Sequence, residues 1–137
     1  MNRQIIFVCT GNTCRSPLAE SYAKTMFKDH SFASRGLMVF DGEVNPATMK
    51  IIEEEGLIHP DEPGQLEDED VHSSILLAMT REHEALIRSR YPEAEVHLLS
   101  EYADGSTVDI MDPIGGSDED YRAVYSQLTK FLGKLFK

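Results

Sequence analysis

Short apolar runs and amphipathic stretches take turns along this chain, and that alternation limits its fold more than any other feature. Ile5-Ile6-Phe7-Val8 is a continuous apolar run ending at a glycine-containing loop, the pattern of a strand buried on both faces. Ser16-Pro17 then opens a helix, with serine as N-cap and proline at the first helical position. Its stripe of Leu18, Ala19, Tyr22, Ala23 and Met26 runs to about His30. Phe32-Ala33-Ser34 reads as a weak strand, and Asn45-Pro46 starts a second helix that Gly56 stops. From His59 to Asp70, two prolines and six acidic residues predict loop, with room for a short acidic helix. Ser74 to Met79 is another buried strand, Thr80 caps a helix over 81–90, and Val96 to Leu99 is a last short strand. The stretch 103–117, rich in Asp, Gly and Pro, reads as a long loop. Ser117-Asp118-Glu119-Asp120 resembles a capping box, followed by Tyr121, Val124, Tyr125, Leu128, Phe131, Leu132 and Leu135 at helical spacing.

Strand then helix, four times over, predicts an α/β fold: a parallel sheet with helices on both faces and right-handed crossovers. No repeat or linker interrupts the 137 residues, so 1–137 is expected to be one domain. In such sheets ligands bind beyond the carboxyl ends of the strands, which directs attention to the loop after the first strand.

Composition narrows the function. A formal net charge of -11 argues against nucleic acid and against an anionic membrane surface, both of which are bound by clustered Lys and Arg. No apolar stretch approaches the length of a transmembrane helix, and the apolar run near the start is too short for a signal peptide. The chain is therefore expected in the cytoplasm. Its two cysteines, Cys9 and Cys14, are too few for a disulfide framework or a four-cysteine zinc site. His59, His72, His83 and His97 show no metal-ligand spacing, so no metal and no cofactor is predicted.

The chemistry concentrates in Cys9-Thr10-Gly11-Asn12-Thr13-Cys14-Arg15-Ser16. If the chain between Cys9 and Arg15 curls, its successive N–H groups form a nest for a tetrahedral oxyanion such as phosphate or sulfate. Gly11 and Asn12 tolerate the positive φ expected of such a curl. The loop runs into a helix N-terminus, and Arg15 offers a planar fork to two anion oxygens. These features, with a hydroxyl from Ser16 or Thr10, would stabilise a thiolate at Cys9, the form able to attack phosphorus. A leaving group also needs a proton. Asp112-Pro113 in the long loop supplies a carboxyl, although on residue type alone Asp104, Asp109 and Asp118 compete for that role and an Asp before Pro commonly starts a turn.

Val8 to Pro17, V-C-T-G-N-T-C-R-S-P, together with Asp112-Pro113 late in the chain, resembles the low-molecular-weight protein tyrosine phosphatases. The resemblance implies a three-layer sandwich with a four-stranded parallel sheet of order 2-1-3-4. It implies that Cys9 attacks phosphorus, Arg15 clamps the phosphate and Asp112 acts as general acid. Loop residues Thr10, Gly11, Asn12, Thr13, Cys14 and Ser16 would bind the substrate's phosphate. Ser34 and Asn12 would brace the loop, and Pro113 and Ile114 would support the acid. Phosphorylated proteins are the implied partners. Ser34-Arg35-Gly36 departs from the family's usual Ser-Ala-Gly.

Thr13 stands where tyrosine phosphatases of the family usually carry an apolar residue and bacterial protein-arginine phosphatases carry threonine. Gly115-Gly116-Ser117 resembles the arginine enzymes too, whereas Ile114 departs from the aromatic residue they often have. Phosphoarginine is thus the expected substrate, with phosphotyrosine as the alternative. An arsenate reductase would need cysteines beyond Cys14. A phosphocysteine carrier or a silent phosphoprotein-binding module would have no use for Arg15 and Asp112 together. Cys14 is either a small loop filler or a partner that traps oxidised Cys9 as a disulfide.

Overall fold

Neighbouring residues of the first strand face different cores. In a computed structural model, which describes residues 3–40 and 42–136, strand β1 (Gln4–Cys9) sends Ile5, Phe7 and Cys9 into one buried cluster and Ile6 and Val8 into another. Successive strand residues point to opposite faces, so two clusters on one strand mean a sheet covered on both sides. Helices α1 (Arg15–Met26), α2 (Pro46–Glu54), α5 (Leu99–Asp104) and α6 (Asp118–Leu132) contribute Leu18, Ile52, Leu99 and Leu128 to the first cluster. Helices α3 (Asp68–Ser73) and α4 (Arg81–Arg90) contribute Val71 and Ile87 to the second. The layer between them is a parallel sheet of β2 (Phe32–Gly36), β1, β3 (Ser74–Ala78) and β4 (Val96–Leu98), in the order β2-β1-β3-β4. This is the three-layer sandwich expected.

Local chemistry accounts for most element ends. Asn45 caps α2 by accepting from the Ala47 N–H, and Gly56, at φ 65, follows its last turn. Thr80 caps α4 through the His83 N–H. Ser117 and Asp120 form a reciprocal capping box at the start of α6.

Four expectations need correction. Helix α1 stops at Met26, short of His30: Phe27 leaves helical geometry at φ -126 and ψ 69, and its ring packs edge-on against Phe136 and at a tilt to Phe32. Residues 99–104 are helical, although Leu99 was expected to end the last strand and 103–104 to open the long loop. Ser100, buried, bonds through its hydroxyl to Ser106 O and Val108 O, and Gly105 at φ 85 ends the turn. Ser16 does not cap α1, since the helix already begins at Arg15 and the Ser16 hydroxyl lies beside the Cys9 sulfur. Asn12 adopts a positive φ of 57, but Gly11 does not.

Candidate active site

The carboxyl end of β1 continues into a loop whose sulfur and guanidinium both face a cleft of about 220 Å³. Cys9, Thr10, Gly11, Thr13, Cys14 and Arg15 line it from the loop, Met38 and Phe40 from the segment after β2, and Asp112 and Ile114 from the loop before α6. Arg15 is only 5% exposed and turns inward: Nη1 donates to Ile110 O at 3.0 Å, and Nη2 lies 3.8 Å from Asp112 Oδ2. One guanidinium thus joins the Cys9–Arg15 loop to the loop carrying the acid. Asp112 Oδ1 accepts from the Ile114 N–H at 3.0 Å, which leaves the half-exposed carboxyl aimed across the cleft. Pro113 is buried behind it. The other acidic candidates are engaged elsewhere: Asp104 with Lys134, Asp118 with Lys50, and Asp109 with the Arg81 N–H.

Behind the cleft a chain of hydrogen bonds has a definite polarity. The Gly64 N–H donates to Asn12 Oδ1 at 2.8 Å, which fixes which end of that amide is nitrogen. Asn12 Nδ2 donates to Ser16 Oγ and Ser34 Oγ, both at 2.9 Å. Ser34 in turn donates to Glu20 Oε1 at 2.5 Å. Because Ser16 already accepts from Asn12, its own proton is free for the Cys9 sulfur 2.9 Å away. Glu20 is fully buried, and its other oxygen accepts from Lys24 and from the Asp61 N–H.

The loop is also held by backbone. Leu37 N–H donates to Cys9 O and Met38 N–H to Thr10 O, so the chain after β2 clips the loop in place. Gly36 makes that approach possible: a Cβ there would lie 2.6 Å from Val39 Cγ2 and 2.9 Å from Thr10 O. Thr13 O accepts from the Asn45 N–H. Cys14 sits 3.8 Å from the Tyr121 hydroxyl; burial pushes its thiol up, and Tyr121 is pushed up to about 12 by burial. The second hydroxyl candidate for the sulfur, Thr10, lies 2.9 Å from His83 Nε2.

The expected residues therefore divide into a cleft-lining set and a bracing set of Asn12, Ser16 and Ser34. Sequence reasoning did not find Met38, Phe40, Glu20 or His83. The one signal for Glu20 was a carboxylate amid the small and apolar residues of α1, most of which are buried. Arg35, the departure beside Ser34, is accommodated by pairing with Asp70 and bonding Ser34 O. Among the described residues no cluster of three or more His, Cys, Asp or Glu could hold a metal ion. Among them also, no helix is long and apolar enough to cross a membrane.

The family model described as low molecular weight phosphotyrosine protein phosphatase matches residues 4–137. The chain belongs to that family. A relative from Staphylococcus haemolyticus, low molecular weight protein-tyrosine-phosphatase PtpB, is 44% identical over 134 residues, 96% of each chain. The YwlE arginine phosphatase of Geobacillus stearothermophilus has a solved structure with a TM-score of 0.92 at 33% identity, covering 98% of this chain and 90% of that one. A YwlE arginine phosphatase mutant with a phosphorylated active-site serine in place of cysteine matches with a TM-score of 0.92 at 33% identity, covering 96% of this chain and 92% of that one. Family membership makes the chain a protein phosphatase of the cysteine-dependent kind, with phosphorylated proteins as the expected substrates.

Proposed function

We propose that this chain hydrolyses phosphoarginine on proteins through a phosphocysteine at Cys9. The observation that carries the reading is the single cleft in which Cys9, Arg15 and Asp112 meet Thr13. The thiolate attacks phosphorus in line while Arg15 and the loop N–H groups hold the non-bridging oxygens. The P–N bond breaks, and the Asp112 carboxyl gives its proton to the departing guanidino nitrogen. In the second step the Asp112 carboxylate takes a proton from water, the water oxygen attacks phosphorus, and the S–P bond breaks to release inorganic phosphate and the thiolate. The relative trapped with a phosphorylated active-site serine supports the covalent step by analogy.

Arginine is favoured by the wall beside the phosphate. Thr13 presents a hydroxyl where a phenyl ring would prefer carbon, and a guanidino group offers N–H donors to it. The free thiols at Cys9 and Cys14 suit a reducing cytoplasm. A second reading, phosphotyrosine hydrolysis, is favoured by the apolar mouth: Phe40 is 83% exposed and Ile114 67%, an arrangement that could flank a ring. Side-by-side turnover of phosphoarginine and phosphotyrosine peptides decides between them. Phosphoarginine is expected to give the higher kcat/KM, and Thr13→Ile to shift the ratio toward phosphotyrosine by about tenfold or more. Equal or better turnover of phosphotyrosine by the wild type reverses the assignment.

A further inference from the structure

A buried histidine takes no part in the chemistry above, yet it stands where the two working loops meet. His83 is 3% exposed, in the first turn of α4. The segment leading to it touches both sides of the site. Met79 N–H donates to Val8 O just before Cys9, and Met79 O accepts from the Ile110 N–H on the acid loop. Arg81 N–H donates to Asp109 Oδ1, again on the acid loop. His83 adds a side chain to this set of links, through Nε2 at 2.9 Å from Thr10 Oγ1.

The ring's other nitrogen identifies its protonation. Nδ1 is buried and, among the described residues, has no hydrogen-bond partner. A proton on Nδ1 would leave a buried N–H unsatisfied, whereas a proton on Nε2 is shared with Thr10 and leaves only a lone pair bare. With Nε2–H donating, Thr10 Oγ1 is the acceptor, and its own hydroxyl proton is released to face the cleft that Thr10 lines.

We propose that His83 is a positioning residue: its Nε2–H anchors the residue after the nucleophile, turns the Thr10 hydroxyl into a donor toward the bound phosphoryl group, and keeps the Cys9–Arg15 loop in register with the loop carrying Asp112. The inference rests on the reading of Cys9 as nucleophile. Burial and then the Arg15 charge push the ring down to about 4, so it stays neutral in the working range.

The test is a double-mutant cycle on turnover of p-nitrophenyl phosphate, with Thr10→Val, His83→Phe and the pair. Each single substitution is expected to lower kcat about tenfold, and the pair to fall no further than the worse single. His83→Gln, which returns an amide donor, is expected to recover most of the loss. Losses that multiply to about a hundredfold in the pair, or a wild-type kcat in His83→Phe, overturn the proposal. Should His83→Phe fail to fold, 15N spectra of the wild type decide. They are expected to show the Nε2–H tautomer and a shift of that resonance when orthophosphate is added; an Nδ1–H tautomer or no shift overturns the proposal. Cys9→Ser separates the two layers. If it keeps wild-type turnover, the reading of the site fails and this inference with it; if it is inactive while the His83 variants are normal, only the positioning role fails.

Discussion

Replacing Asn12 by alanine should be the most damaging small change near the cleft, and the structure allows its size to be worked out. The side chain makes three hydrogen bonds, to Ser16, Ser34 and the Gly64 N–H, and all three are lost. At about 1 kcal/mol net for each neutral bond, that is about 3 kcal/mol. Asn12 also sits at φ 57, where alanine lacks the local polar contacts that let asparagine occupy this region; the added strain is about 1 kcal/mol. The sum, about 4 kcal/mol, is a large part of an ordinary domain's stability and corresponds to a fall in Tm of about 10–15 °C for a chain of this size. Asn12→Gly loses the same bonds without the strain, so it should fall short of the alanine variant's loss by about 1 kcal/mol. Urea unfolding of the three proteins at pH 7, followed by circular dichroism, measures both numbers. If the alanine and glycine variants are equally stable and both lie within about 1 kcal/mol of wild type, the bracing role assigned to this amide is wrong.

Other expectations follow from the same geometry. Gly36→Ala drives a methyl into Val39 and the Thr10 carbonyl, so it should destabilise by about 1–3 kcal/mol and weaken phosphate binding; an unaltered melting curve would show that the loop can retreat. For pH, His83 titrates at about 4 in the fold, lowered by burial and Arg15 against the pull of Asp109 and Asp112, but near 6.5 when unfolded. The unfolded chain therefore takes up the proton first as pH falls, so this residue removes stability between about pH 6.5 and 4 and contributes no pH dependence above that window. Relative to His83→Gln, wild type should lose about 2 kcal/mol of unfolding free energy between pH 7 and pH 5; a constant difference contradicts a buried neutral ring. Burial keeps Cys14 a thiol, and it is the thiolate that would close on a sulfenic acid at Cys9, so trapping requires Cys14 to give up that proton first. After brief peroxide treatment, Cys14→Ser should fail to regain activity with dithiothreitol, and full recovery would leave Cys14 as a loop filler.

The parts legible in the sequence were those whose cause is local. The apolar run before Cys9, the asparagine cap at Asn45 and the capping box at Ser117 all act within a few residues of themselves, and each lies where expected. Cys9 and Arg15 stand out locally, six positions apart after a buried strand, whereas Asp112 is one of several competing acidic residues until the family resemblance singles it out. Features that depend on distant partners were hidden. Glu20 looks like a misplaced surface carboxylate until β2 brings Ser34 against it. His83 looks like one more helix residue until the parallel register sets the end of β3 beside the end of β1. Helix α1 ends early because an aromatic cluster assembled from Phe27, Phe32 and Phe136 redirects the chain, and no window of sequence contains all three.

The clip formed by Leu37 and Met38 on the carbonyls of Cys9 and Thr10 continues the β1–β2 pairing just past the strand ends and needs no ligand. Those two links of the proposed anion cradle are consequently made as the protein folds, before any substrate arrives. Such a cradle cannot tell a phosphoryl group still attached to protein from one already set free. Orthophosphate, the last product to leave, should occupy the same contacts, and the enzyme should slow as its own product accumulates.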